Sequence, residues 1–376
     1  MQGSARLLPP ARIIPAIAEH RERWQAHAQM WRRLQMATLG FETLGLSTGG
    51  DDPDPGSDRL VETIEFGSNP GALRMFTWAP PELPSRPALV VVLHGCTQTA
   101  AGYGLGVGWA ALAERYGFVL LLPQQQPANN PGSCFNWFLP DRSALEAESI
   151  AQMVNAAIAR FGADRRRAFV TGLSAGGAMT SVMLATRPDL FAGGGIIAGL
   201  PYGTATNLNE ALESMANVRP RSARAWGDLV RAASPHRGPW PRISVWHGTA
   251  DAVVNPGNAV EIVKQWREVH ALLPAATATT AVNGVAREAW GRDGRDVIEC
   301  WTVPGMAHGA PLASGGDGHC GVPGPFVLEA GISSSWHIAR FWGLAGERTD
   351  RPAALAEAPW SVTEWARRLA RAAGWH

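Results

Sequence analysis

One serine stands where an enzyme nucleophile would need to stand. In AFVTGLSAGGAMTSVMLATRPDLF, residues 168 to 191, Ala168 to Thr171 predict a strand. The strand runs into Gly172-Leu173-Ser174-Ala175-Gly176 and then into an apolar helix. A G-x-S-x-G turn between strand and helix holds a serine in a strained conformation, with its hydroxyl projecting beyond the sheet. Side chains two residues to either side would meet neighbouring backbone, so glycine is expected at both places. The N-terminal N–H groups of the following helix point at the reacting centre.

A serine hydroxyl is a weak nucleophile, so it needs a base, and the base needs an acid to orient it. In SVWHGTADAVV a strand ends at Trp246-His247, and Asp251 follows in a short glycine-containing loop. Asp293 and Asp296 are rivals, but they precede a strand instead of following one. VIECWTVPGMAHGAP places His308 in the next such loop, between Gly305 and Gly309. His247 precedes the acid in the chain, and His319 lies further on in a glycine-rich stretch. The expected triad is therefore Ser174, Asp251 and His308, with His247 packed under the acid loop as a structural histidine.

VVLHGCTQTA, residues 91 to 100, ends a run of aliphatics in His94-Gly95-Cys96. A cysteine nucleophile is redundant beside a complete serine site. His94 and Cys96 lack a second ligand pair at zinc-finger spacing, and His308, His319 and Cys320 make a zinc site only on paper. The backbone reading is stronger. An acyl-transfer site needs a second oxyanion donor from the loop after an early central strand. The main-chain N–H groups of Cys96 and Ala175 are assigned to that role. Whether the four cysteines, Cys96, Cys134, Cys300 and Cys320, are free or bridged stays open, with three pairings available for two bridges.

These loops must be held by a strand–helix alternation, which is the pattern of a mainly parallel sheet. Strands are expected at 61–66, 73–78, 89–93, 119–122, 168–171, 194–198, 243–247 and 297–303. Ile150, Met153, Val154, Ala157, Ile158 and Phe161 mark one apolar face of a helix. A final helix is expected over 326–342. Outside this α/β domain of residues 59–345, residues 1–58 carry a helix marked by Trp24, Ala28, Trp31 and Leu34 and a turn-rich linker. Residues 346–376 end in a helix opened by a capping box, Ser361 and Glu364. These terminal helices are expected to dock on the domain, and they offer a route to oligomers.

With 376 residues, 46% hydrophobic and 17% charged, the chain can bury a large core. A net charge of +1 gives no electrostatic ground for binding nucleic acid. No apolar run reaches the ~18 residues of a membrane span. The N-terminus does not read as a signal peptide, so the sequence as written reads as cytoplasmic, with the compartment left open. The sixteen tryptophans invite a stacking-surface reading, but Trp78, Trp301 and Trp342 fall in or near predicted elements and are expected in the core.

Taken in order, LHGCTQT (93–99), CFNWF (134–138), GLSAGGAMT (172–180), AGLPYG (198–203), WHGTAD (246–251), GMAHG (305–309) and HIARFWGL (337–344) resemble the esterase family of polyhydroxybutyrate depolymerases. The resemblance covers roughly residues 60–345. It implies an α/β-hydrolase fold with helices on both faces of the sheet, the triad Ser174, Asp251 and His308, and an oxyanion hole at Cys96 and Ala175. It further implies that Gln98, Asn136 and Trp137 lie by the acyl-binding pocket and that Cys134 bridges to Cys96. The family's usual cysteine near GISSSW is replaced by Ser333 to Ser335, which leaves Cys300 as the candidate partner of Cys320. Polymer-degrading members usually carry a signal peptide and a polymer-binding module, and neither is visible here. Other members act as feruloyl or acetylxylan esterases, so membership does not fix the substrate. The expected activity is hydrolysis of carboxylic esters, short hydroxyalkanoate esters first and carbohydrate esters second. Neither metal nor organic cofactor is required. A non-catalytic binding protein on the same scaffold would be expected to lack a triad member.

Overall fold

The computed structural model describes residues 59–316 and 318–346. The two terminal helices expected from the sequence lie outside these residues. Within them a ten-stranded sheet runs in the order β1-β2-β4-β3-β5-β6-β7-β10-β9-β8. The strands are β1 Val61–Thr63, β2 Arg74–Trp78, β3 Leu89–Leu93, β4 Val119–Gln124, β5 Ala168–Leu173, β6 Gly193–Ile197, β7 Arg242–Gly248, β8 Ala278–Val282, β9 Val285–Arg292 and β10 Arg295–Val303. From β4 through β3, β5, β6 and β7 to β10 the pairing is parallel, and the two edges are antiparallel. A small parallel pair, β11 Ala310–Leu312 with β12 Val327–Glu329, lies apart from the main sheet.

The central strands are apolar on both faces because helices cover both. Along β3, Leu89, Val91 and Leu93 join a core with Ile150, Met153, Val154 and Ala157 of α3, Pro140–Phe161. The alternate residues Val90 and Val92 join a second core with Tyr103 of α1, Ala100–Gly106, and Trp109 of α2, Trp109–Tyr116. Trp78, Trp301 and Trp342 are buried in that second core, as expected of packing residues.

The structure corrects two readings of the chain. The helix expected over 326–342 is β12 followed by a shorter helix, Ser334–Phe341. Gly331 has a φ of +66°, and the Ser333 hydroxyl caps the Trp336 N–H, so the helix starts only there. The β8–β9 hairpin was not anticipated. Its strand β8 is largely exposed and lacks the alternation of a half-buried strand, although Asn283-Gly284, both at positive φ, form the kind of turn that joins such hairpins.

Candidate active site

Ser174 ends β5 and opens α4, Ala175–Thr186. Its φ of 56° with ψ of −116° lies outside the basins an L-residue prefers. The flanking glycines answer to close approaches of backbone. A Cβ at Gly172 would stand 2.4 Å from the carbonyl of Gly176, and one at Gly176 would stand 2.1 Å from the Leu93 oxygen. The Ser174 N–H is anchored on Ile197 O at 2.9 Å, which leaves the side chain at the C-terminal end of the sheet.

Asp251 follows β7, and His308 follows β10, its direct neighbour in the sheet. His308 Nδ1 lies 2.8 Å from Asp251 Oδ2, and both side chains are buried. A carboxylate oxygen only accepts, so Nδ1 carries a hydrogen, and in the neutral tautomer Nε2 is the nitrogen that can take a proton. Asp251 Oδ1 accepts from the Val253 and Val254 N–H groups at 2.9 and 2.8 Å. Burial alone would raise the Asp251 pKa, but hydrogen bonds from His247 and His308 outweigh it and hold the carboxyl well below its usual range. The acid is therefore an anion, oriented on both oxygens.

His247 reaches Asp251 Oδ2 at 3.1 Å from beneath the loop. Asp296 is paired with Arg287, and His319 turns Nδ1 toward Ala313 O. The structure therefore brings both His308 and His247 onto Asp251, and engages Asp296 and His319 elsewhere. Ser174 lies two strands from Asp251 at the same end of the sheet. Among the described residues its hydroxyl makes no hydrogen bond, to His308 or to any other group. The Cys96 and Ala175 N–H groups likewise donate to none of the backbone carbonyls outside regular elements.

A disulfide joins Cys96 to Cys134. Both, with Ala175, Leu200 and Val253, form a small apolar cluster beside the elbow, against which half-buried Trp137 packs. The Gln98 and Asn136 side chains are committed to the frame of the site. Gln98 accepts from Gly95 N at 2.8 Å and donates to Pro325 O at 3.0 Å. Asn136 is buried and bonded to Glu146 and Asn130. Leu200 and Val253 were not singled out from sequence, although Leu200 falls within the AGLPYG motif.

The pairing of Cys300 with Cys320, left as a candidate by the sequence, is absent: both are free and buried. They belong to the two cores on opposite faces of the sheet, and burial pushes their thiols up to about 12 and about 11. Cys320 Sγ lies instead 3.0 Å from Ser333 Oγ. No group of three or more His, Cys, Asp and Glu side chains among the described residues is arranged to hold a metal ion.

Comparison with known proteins places these features in a family. Residues 75–290 match the family model described as "Esterase PHB depolymerase". The chain is 42% identical to poly(3-hydroxyalkanoate) depolymerase C of Paucimonas lemoignei over 76% of its own length and 70% of that protein's. It is 34% identical to an acetylxylan esterase of Coprinopsis cinerea, over 70% of this chain and 73% of that one. Among solved structures, the acetyl xylan esterase from Aspergillus awamori superposes with a TM-score of 0.64 at 26% identity, over 76% of this chain and 99% of that one.

Proposed function

The chain belongs to the esterase family of PHB depolymerases and is a carboxylic ester hydrolase, and we propose that it works by two-step acyl transfer through Ser174, His308 and Asp251. The observation that carries this reading is the 2.8 Å bond from His308 Nδ1 to Asp251 Oδ2. In the neutral ring it makes Nε2 the nitrogen available to a serine proton, at the end of the sheet where the Ser174 elbow stands.

In the first step Nε2 takes the Ser174 proton as Oγ attacks the ester carbonyl carbon. The carbonyl π pair moves onto oxygen, and the N–H groups of Cys96 and Ala175 receive that oxyanion. Asp251 stabilises the imidazolium without taking its proton. The intermediate collapses, the C–O bond to the alcohol breaks, and His308 protonates the leaving oxygen. Water then attacks the acyl-serine by the same sequence and releases the acid.

The preferred substrates are short hydroxyalkanoate esters, such as 3-hydroxybutyrate oligomers or accessible polymer. The identity to the Paucimonas depolymerase over three quarters of the chain supports this choice. A carbohydrate ester is the second reading, supported by the acetylxylan esterase relative and the Aspergillus structure. The test is a hydrolysis panel of 4-nitrophenyl esters of increasing acyl length, 3-hydroxybutyrate oligomers, a polymer film, acetylated xylan and methyl ferulate. Highest kcat/KM on the hydroxybutyrate oligomers is expected. Turnover of acetylxylan or ferulate far above them would move the protein to the second class.

A further inference from the structure

Glu146 is a fully buried carboxylate on the apolar stripe of α3, with no part in the acyl-transfer steps. Three N–H groups converge on it. Gln125 Nε2 and Asn136 Nδ2 reach Oε1 at 2.8 and 2.6 Å, and Asn136 N reaches Oε2 at 2.8 Å. Arg142 stands further off, 3.8 Å away. Burial raises the Glu146 pKa, and these donors and the Arg142 charge work against the rise.

Both amide partners lead to the same peptide. The Gln125 N–H reaches His94 Nε2 at 3.1 Å, so that nitrogen accepts. His94 Nδ1 then carries the hydrogen and donates to Gly95 O at 2.7 Å. Burial holds the His94 pKa down at about 4, which keeps the ring neutral and able to accept at Nε2. On the other side Asn136 lies two residues beyond Cys134, whose sulfur is bonded to Cys96. The Gly95 carbonyl and the Cys96 N–H belong to one planar peptide and point in opposite directions. Fixing the carbonyl on His94 and the Cys96 side chain on Cys134 therefore aims the Cys96 N–H.

We propose that Glu146 is a positioning residue for the oxyanion hole, holding the Gly95–Cys96 peptide in a closed circuit through Gln125 and His94 on one side and through Asn136, Cys134 and the disulfide on the other. This rests on the assignment of the Cys96 N–H given under the proposed function. A carboxylate suits the hub because its oxygens only accept. Glutamine in its place presents an NH2 to at least one incoming N–H and opens the circuit.

The test compares kcat/KM on an oxoester and on its thionoester, whose carbonyl sulfur makes little use of oxyanion donors. Glu146→Gln lowers the oxoester value at least about tenfold, toward the ~100- to 1000-fold of a lost donor, with KM nearly unchanged and the thionoester value much less affected. His94→Gln keeps an acceptor for the Gln125 N–H but gives up the Gly95 bond, and it should lower the same ratio. His94→Asn can still donate to Gly95 O and should keep more of it. Equal losses on both esters, or a wild-type ratio in Glu146→Gln, would overturn the proposal. If Glu146→Gln does not fold, the two His94 variants decide it by the same ratio. Stoichiometric labelling of wild-type Ser174 by a fluorophosphonate, together with a wild-type preference for the oxoester, tests the underlying site separately. Should those hold while the variants keep the wild-type ratio, only the positioning role falls.

Discussion

His247 Nε2 lies 3.1 Å from Asp251 Oδ2, the same oxygen that receives His308 Nδ1. That His247 nitrogen also sits 3.0 Å from Val254 O, and a carbonyl only accepts, so it carries a hydrogen shared between the two. The buried histidine beneath the loop thus steers the acid as well as packing under it. His247→Leu is expected to lower kcat about tenfold, the worth of one hydrogen bond of ~1.4 kcal/mol, and stability by about 1–3 kcal/mol. His247→Gln, which can still donate, should recover most of both. Steady-state kinetics and urea titrations check this, and wild-type values in the leucine variant would leave the bond without a role.

Ser174 carries a conformation that its neighbours impose. At φ 56° and ψ −116° an L-residue is strained by ~1–3 kcal/mol, whereas glycine is not. Ser174→Ala and Ser174→Gly should both abolish ester hydrolysis and keep the fold. The two differ in stability. Relief of strain is partly offset by the extra chain entropy of glycine, so the glycine variant should gain about 1 kcal/mol over alanine. Denaturant midpoints measure the difference. A glycine variant less stable than alanine would mean that the elbow stores no strain.

The elements around the candidate triad were legible because each is a short-range pattern. A strand followed at once by a glycine-bearing loop, with a serine, an aspartate or a histidine in it, marks Ser174, Asp251 and His308 as candidates from a dozen residues apiece. Roles that depend on distant partners were not legible in this way. The resemblance implies a place by the pocket for Gln98 and Asn136, but residue type did not reveal that the Gln98 amide bonds the backbone at Gly95 and Pro325, or that Asn136 bonds Glu146 and Asn130. A carboxylate at 146 in line with Ile150, Met153 and Val154 was a readable anomaly on an apolar stripe, but its partners at 125 and 136 were not. The segment over 326–342 misled because its apolar residues fit a helix, while Val327–Glu329 gains more by pairing with Ala310–Leu312.

Buried neutral histidines make the fold acid-sensitive. His270 is pressed down to about 4 by burial, against a bond to Pro241 O and with some help from Arg292. Its unfolded value is about 6.5. Between those values the unfolded chain binds a proton that the folded chain refuses, so stability falls as pH drops through the window. For this ring the loss is at most about 3 kcal/mol, and less because it is part-exposed. His94 and His337, also lowered to about 4, act in the same direction. His270→Gln should flatten the dependence of unfolding free energy on pH between 6.5 and 4 by up to one proton. Urea titrations across that range read it directly, and superimposable profiles would show that His270 titrates alike in both states.

Cys320 has a vacant partner position. Its Sγ lies 3.0 Å from the Ser333 hydroxyl, in the segment where the resembled family usually has a cysteine. The chain therefore keeps one half of such a bridge, with the Ser333 hydroxyl beside its sulfur. Ser333→Cys should oxidise to a 320–333 disulfide closing a loop of about fourteen residues, for which chain entropy gives about 3 kcal/mol. The loss of the Ser333 cap on the Trp336 N–H subtracts about 1 kcal/mol, so a net gain near 2 kcal/mol is expected. The wild-type chain has two free thiols, Cys300 and Cys320, and the oxidised variant should have one. Thiol titration in denaturant counts them, and the thermal midpoint with and without reductant gives the stability. A count of three in the variant would mean that the two sulfurs cannot reach bonding geometry, and that Ser333 serves the helix alone.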